Sequence, residues 1–140
     1  MNIFLLDTNT VSYLIRKQSA SIQARIDALG AEDTVAISVI TEAEIRFGLA
    51  LKPEAHQLAR TVEFVLAGLI ILPWTSDAAR AYAALRAENQ RLGLAAGSLD
   101  MLIAAHAIAA GAVLVTNDGA LSKLAGGPVT VNWADDIRPN

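Results

Sequence analysis

Short apolar runs alternate with longer stretches of helical period along this 140-residue chain. Ile3-Phe4-Leu5-Leu6 is a continuous apolar run closed by Asp7-Thr8-Asn9, residues that favour turns and helix caps, so it reads as a buried strand followed by a helix. From Asn9 to Lys17, Val11, Leu14 and Ile15 fall on one helical face and Asn9, Ser12 and Arg16 on another. Ser21 is placed to cap a second helix through Leu29, ended by Gly30. Thr34 to Ser38 reads as a strand, and a helix begins at Ser38 or Thr41 and runs to about Leu51. Pro53 suits the first turn of a further helix through Leu66. Leu69 to Leu72 is a third strand. Ser76 or Asp77 caps a long Ala-rich helix to Leu92, stopped by Gly93, and Ser98 caps the next to Ala110, stopped by Gly111. Val113 to Val115, a helical turn around Ala120 to Leu124, and a small strand Val129 to Val131 complete the chain.

Strands this short, separated by helical crossovers, imply a sheet with both faces covered. The expected fold is α/β, a three-layer α/β/α sandwich around a mostly parallel five-stranded sheet, with residues 1–140 as one domain. No internal repeat or Pro/Ser/Gly-rich linker divides it.

Composition narrows the setting. With no cysteine, disulfides and thiolate metal sites are excluded, and any metal must be held by oxygen or histidine. The amino terminus carries Asp7 directly after its apolar run and has no basic stretch before it, so no signal peptide is expected. Met101 to Thr116, the longest weakly polar stretch, is shorter than a membrane helix requires and contains His106 and Gly111. A soluble, cytoplasmic protein is expected. Hydrophobic residues make up 54% of the chain, against roughly 45 to 50% in average soluble proteins even when Gly is counted. A buried dimer or partner interface accounts for the excess. The net charge of −3 weighs against tight binding of phosphates.

Four acids change that balance. Asp7 and Asp118 each follow a strand, Glu44 lies early in the helix after Ser38, and Asp100 lies in the first turn after Ser98. In open α/β sheets, ligands bind beyond the carboxyl ends of the strands. Each acid also has an ordinary reading. Asp7 is a helix cap, Glu44 the partner of Thr41 in a capping box, Asp100 an acid favoured by a helix dipole, and Asp118 a turn residue before Gly119. Their equivalent positions favour convergence on one site. Crowded carboxylates raise one another's pKa unless a cation neutralises them, and Mg2+ or Mn2+ suits an all-oxygen donor set. Two such ions about 3.5 to 4 Å apart can activate water on one side of a phosphodiester and stabilise the leaving oxygen on the other. Two bound ions would also shift the charge from −3 to +1.

The ordered segments Leu5-Leu6-Asp7-Thr8-Asn9, Ile37-Ser38-Val39-Ile40-Thr41 with Glu44-Ile45-Arg46-Phe47-Gly48, Asp100-Met101-Leu102-Ile103-Ala104-Ala105-His106-Ala107, and Leu114-Val115-Thr116-Asn117-Asp118 make the chain resemble PIN-domain ribonuclease toxins of the VapC type. The resemblance covers the chain from near residue 2 to Trp133. It implies Mg- or Mn-dependent endonucleolytic cleavage of RNA, inhibition by a cognate antitoxin, and a homodimer. By the same resemblance Asp7, Glu44, Asp100 and Asp118 are the catalytic metal ligands, Asp118 either directly or through water. Asn9 and Thr116 match polar residues that orient the ligands. Glu42 stands two residues too early for the acid of the second motif. Two positions depart from the family pattern. Gly119-Ala120-Leu121 replaces an aromatic residue often found after the fourth acid, and the linker Gly93-Leu94-Ala95-Ala96-Gly97 lacks a proline often found there.

Arg16, Arg46 and Arg86 are the basic residues nearest the motifs and are candidates for RNA phosphate contact. His106 lies about 240° around the helix from Asp100 and reads as a packed side chain. Trp74, Trp133 and Tyr82 suit base stacking or, more ordinarily, the core or an interface. Apolar stretches from Val62 to Leu72 and from Ala78 to Leu85 are candidates for a dimer contact. Two other classes of function use the same sheet: a catalytically silent partner-binding module, and a phosphoryl-transfer domain with Asp7 as nucleophile. The second normally has an acid two residues after the nucleophile, where this chain has Asn9.

Overall fold

A computed structural model describes residues 1–137 and contains one five-stranded sheet, ordered β3-β2-β1-β4-β5. The strands are β1 (Ile3–Leu6), β2 (Thr34–Ser38), β3 (Ile70–Leu72), β4 (Val113–Val115) and β5 (Thr130–Val131). Every pairing is parallel. The helices are α1 (Thr8–Ile15), α2 (Ala20–Asp27), α3 (Val39–Ala50), α4 (His56–Ala67), α5 (Ser76–Arg91), α6 (Ser98–Ala110) and the single turn α7 (Gly119–Ser122).

Strand side chains alternate between faces, and three strands each send adjacent residues into different cores. Leu5, Ala36 and Leu114 join Leu85, Met101, Ile103 and Leu121 on one face. Leu6, Ile37 and Val115 join Val11, Ile22, Val62, Leu66 and Trp133 on the other. This produces the three-layer α/β/α sandwich. Helix α6 buries Met101, Ile103, Ala104, Ala105, His106 and Ala107, so it is covered nearly all round, which explains its almost uninterrupted apolar sequence. Gly111 ends it in the left-handed conformation, at φ 64°, where a side chain would be strained. The chain then enters β4.

Strand limits follow the apolar runs to within a residue, with β3 starting at Ile70 and β5 at Thr130. Several helix starts differ from expectation because the hydroxyl that caps is set by the path of the chain. Ser19, not Ser21, caps α2 by accepting from Ile22 N at 3.2 Å. Ser21 instead donates to the Trp133 carbonyl. Thr75, rather than Ser76 or Asp77, caps α5. Gly97 occupies the cap of α6, and Ser98 is its first residue. Pro53 lies in a turn before α4, which starts at His56. Of the apolar stretches expected at a dimer contact, Val62, Leu66, Ala78 and Leu85 are buried in the core. The large apolar side chains left exposed include Phe47, Leu51, Phe64 and Ile70.

Candidate metal centre

The sheet order fixes where the acids meet. Strand β1 lies between β2 and β4, so the chain leaves it in a crevice where the connections diverge to opposite sides. Asp7 is the next residue after β1, and its backbone N–H donates to the Val115 carbonyl of β4 at 3.0 Å. Its side chain is 2% exposed. Asp118 follows β4 by three residues and Glu44 lies in the second turn of α3, directly after β2. Asp100 is not carried by a strand tip. It sits in the first turn of α6, which feeds the parallel strand β4 and so begins at the carboxyl edge of the sheet.

Burial grades across the group. Asp7 is buried, whereas Glu44, Asp100 and Asp118 are half-buried. Burial pushes the Asp7 carboxyl pKa up, against hydrogen bonds from Thr10 and Thr116 that lower it, and Asp118 adds repulsion. The Asp100 carboxyl is raised to about 6, first by burial and then by the negative charges of Asp118, Asp7 and Glu44. All four acids therefore share one electrostatic neighbourhood. Among the described residues, the arginine ion pairs involve Asp135, Glu42, Glu63, Asp77 and Glu88 and none of these four.

Three of the carboxylates also hold local structure. Asp7 caps α1, accepting from Thr10 N at 2.8 Å. Asp118 caps α7, accepting from Ala120 N at 2.8 Å. Glu44 does not form a capping box, because α3 is capped by Ser38 and Thr41 lies within the helix. Instead Glu44 accepts from Thr8 Oγ1 at 2.6 Å, which ties α3 to the first turn of α1. Capping and a further role are compatible, since a carboxylate has two oxygens and several lone pairs.

The donor set consists of oxygens, carries uncompensated charge and is partly withdrawn from water, which fits a hard divalent cation. Among the described residues, no three His, Asp or Glu side chains are gathered closely enough to hold an ion between them.

Thr116 lies among the acids, close enough to Asp7 to lower its pKa, and accepts from Asp118 N at 3.0 Å. Asn9 is exposed, while hydrogen bonds to the acids come from its neighbours Thr8 and Thr10. Sequence reasoning passed over both threonines, although alternate positions on either side of Asn9 could have suggested them. Arg46 is held by Glu42 at 2.9 Å and Glu63 at 2.5 Å. Arg86 lies over the Tyr82 ring and donates to its hydroxyl at 2.6 Å. Arg16, at the C-cap of α1, is exposed. Trp133 is buried against Phe4, and Trp74 packs edge-on against His106.

The PIN domain family model matches residues 4–127. The chain belongs to the PIN-domain family. Similar proteins within it include several named as VapC ribonucleases. Ribonuclease VapC2 of Rickettsia felis is 34% identical, over 94% of this chain and 98% of that protein. The tRNA(fMet)-specific endonuclease VapC of Salmonella typhimurium is 34% identical, over 82% of this chain and 86% of its own. In the crystal structure of VapBC2 from Rickettsia felis bound to a DNA fragment from their promoter, one chain superposes with a TM-score of 0.87. It is 32% identical and covers 94% of this chain and 98% of that one. The PIN fold thus accounts for the strand order.

Proposed function

We propose that this PIN-domain protein is the endoribonuclease toxin of a toxin–antitoxin pair and works in the cytoplasm with Mg2+ or Mn2+ held by Asp7, Glu44, Asp100 and Asp118. The observation that carries the reading is the sheet order, which brings the ends of β1, β2 and β4 and the start of α6, with their four acids, to one edge; the Asp100 carboxyl, raised to about 6 by burial and then by the other three acids, agrees with it. A carboxylate cluster maintained at that electrostatic cost suits a cation. The chemistry such an ion supplies is neutralisation of phosphodiester charge and acidification of attacking water.

The chain's own residues prepare the site. Thr10 and Thr116 fix the orientation of Asp7, and Thr8 holds Glu44 toward α1. Thr116 joins Asp7 to the turn bearing Asp118. Burial on the Asp7 side limits water, while Glu44, Asp100 and Asp118 face the more open side, where an RNA phosphate can approach. Arg16 is the candidate for phosphate contact. Arg46 and Arg86 must first leave their present partners. Two relatives named as tRNA(fMet)-specific endonucleases support a transfer RNA as substrate, and the VapBC complexes support a cognate antitoxin as partner. Exposed Phe47, Leu51, Phe64 and Ile70 offer apolar area for a homodimer or that antitoxin.

Antitoxin-free protein incubated with total RNA and with purified transfer RNAs, in Mg2+, Mn2+ or EDTA, tests the reading. Discrete metal-dependent cuts that vanish in Asp7→Asn are expected. A folded, partner-free protein that cuts nothing and takes up no metal would show a silent binding module instead.

A further inference from the structure

His106 lies on the same helix as Asp100 but takes no part in the acid cluster. Its side chain is 3% exposed, and its Nδ1 is 2.7 Å from Ser38 Oγ. The Pro73 carbonyl lies beside the ring and favours a proton on it, and Trp74 covers the ring edge-on at 5.3 Å. With Nε2 protonated toward that carbonyl, neutral Nδ1 is an acceptor, so Ser38 donates to it. Ser38 Oγ accepts in turn from Ile40 N at 3.0 Å, as the cap of α3. Burial lowers the His106 pKa and favours this neutral form. Each hydrogen-bonding group in the chain from Pro73 to Ile40 then has its partner.

The link joins the two helices that supply acids from outside the strand tips. Glu44 is six residues beyond Ser38 on α3, and Asp100 is six residues before His106 on α6. Each acid is therefore about 9 Å of helix from the same clamp. A shift or rotation of α6 against α3 at the clamp changes the separation of the two carboxylates.

We propose that His106 is a positioning residue, which through Ser38 locks the helix carrying Asp100 to the helix carrying Glu44 and so sets the spacing of the acids. The inference rests on the metal reading of the site. An apolar residue at position 106 would fill the same core, so packing alone does not call for an imidazole there. The paired donors and acceptors of β2, α3 and the segment after β3 do.

Direct Mn2+ binding, followed by electron paramagnetic resonance well below the melting temperature, tests it on the wild type and four variants alongside thermal melts. His106→Leu keeps the bulk and removes both ring nitrogens; Mn2+ affinity is expected to fall about tenfold, the low end for residues supporting metal ligands. His106→Asn retains an amide where Nδ1 lies and restores most of the affinity, although it melts as early as the leucine variant. Ser38→Ala cuts the link from the other side and weakens Mn2+ binding to the same extent. The Ser38→Ala/His106→Leu double variant binds no more weakly than either single one, as expected for one shared interaction. Should His106→Leu fail to fold, Ser38→Ala decides. Wild-type affinity in His106→Leu or Ser38→Ala, or an Asn variant as weak as the Leu variant, overturns the inference while leaving the metal reading intact. Wild-type protein that binds no Mn2+ overturns both.

Discussion

Glu42 and Glu44 stand two residues apart on α3, about 200° around the helix, and meet opposite surroundings. Glu42, half-buried like Glu44, pairs with Arg46, which also reaches Glu63 on α4. Glu44 faces the carboxyl edge of the sheet, where its hydrogen-bond donor is the uncharged Thr8 and its charged neighbours are acids. The outer face is electrically closed and the edge is open. An acid with its own arginine has no use for a cation, whereas a group of acids without one gains greatly from it. The same residue type therefore serves as surface charge on one side of a helix and as a candidate ligand on the other.

The contrast is broken most severely at Asp7. Asp7→Asn keeps the shape and the acceptor for Thr10 N but removes the buried charge. RNA cleavage is expected to fall at least about a hundredfold, as for displaced or missing catalytic groups. Metal-free protein is expected to melt a few degrees higher, because no charge is then withheld from water. Cleavage assays and calorimetry on one preparation check both, and an Asp7→Asn protein that cuts normally would remove the acid edge from the chemistry.

Metal should close the open edge. A hundredfold excess of Mn2+ over its Kd stabilises the wild type by about 2.7 kcal/mol, and the melting temperature should rise accordingly. Asp7→Asn should show little of this gain. Equal shifts in both proteins would place the ion elsewhere.

A smaller effect concerns Thr8. Thr8→Val releases Glu44 while leaving its charge, and cleavage should fall about tenfold, in line with loss of a residue that orients a metal ligand. Unchanged cleavage would show that Glu44 keeps its place without the 2.6 Å bond.

Acidity distinguishes the two faces more gently. Asp7 and Asp100 hold their protons more tightly in the folded state, Asp100 with its pKa moved from 3.8 to about 6. In that window the folded state binds more protons than the unfolded one, so the stability conferred by these groups is present at low pH and is lost as pH rises through about 6. Through these two groups metal-free protein should thus melt lower at pH 7 than at pH 5, and saturating Mn2+ should flatten that slope. A slope of the same size in Asp7→Asn/Asp100→Asn would assign it to other groups. On the closed face, Arg46→Ala should change stability by no more than about 1 kcal/mol, since exposed ion pairs contribute little. A loss several times larger in denaturant unfolding would show that the outer face carries structural weight.

Strand positions and the α/β class were legible because burial on both faces demands continuous apolar runs, and Ile3–Leu6, Val35 to Ile37 and Val113–Val115 carry them without interruption. The acids were visible for the same reason: Asp7 and Asp118 stand at or near places where such runs stop. Gly111 announced the end of α6, since a left-handed residue is a local requirement. Capping was less legible. Ser19 and Ser21 are chemically equivalent, and only the approach of Trp133 and the path into α2 decided between them. Thr8 could not be matched with Glu44, nor His106 with Ser38, because those partners are 36 and 68 residues apart. Local chemistry states what each residue can donate or accept. Which groups meet is settled by the strand order β3-β2-β1-β4-β5, which brings the ends of β1, β2 and β4 and the start of α6 to one crevice.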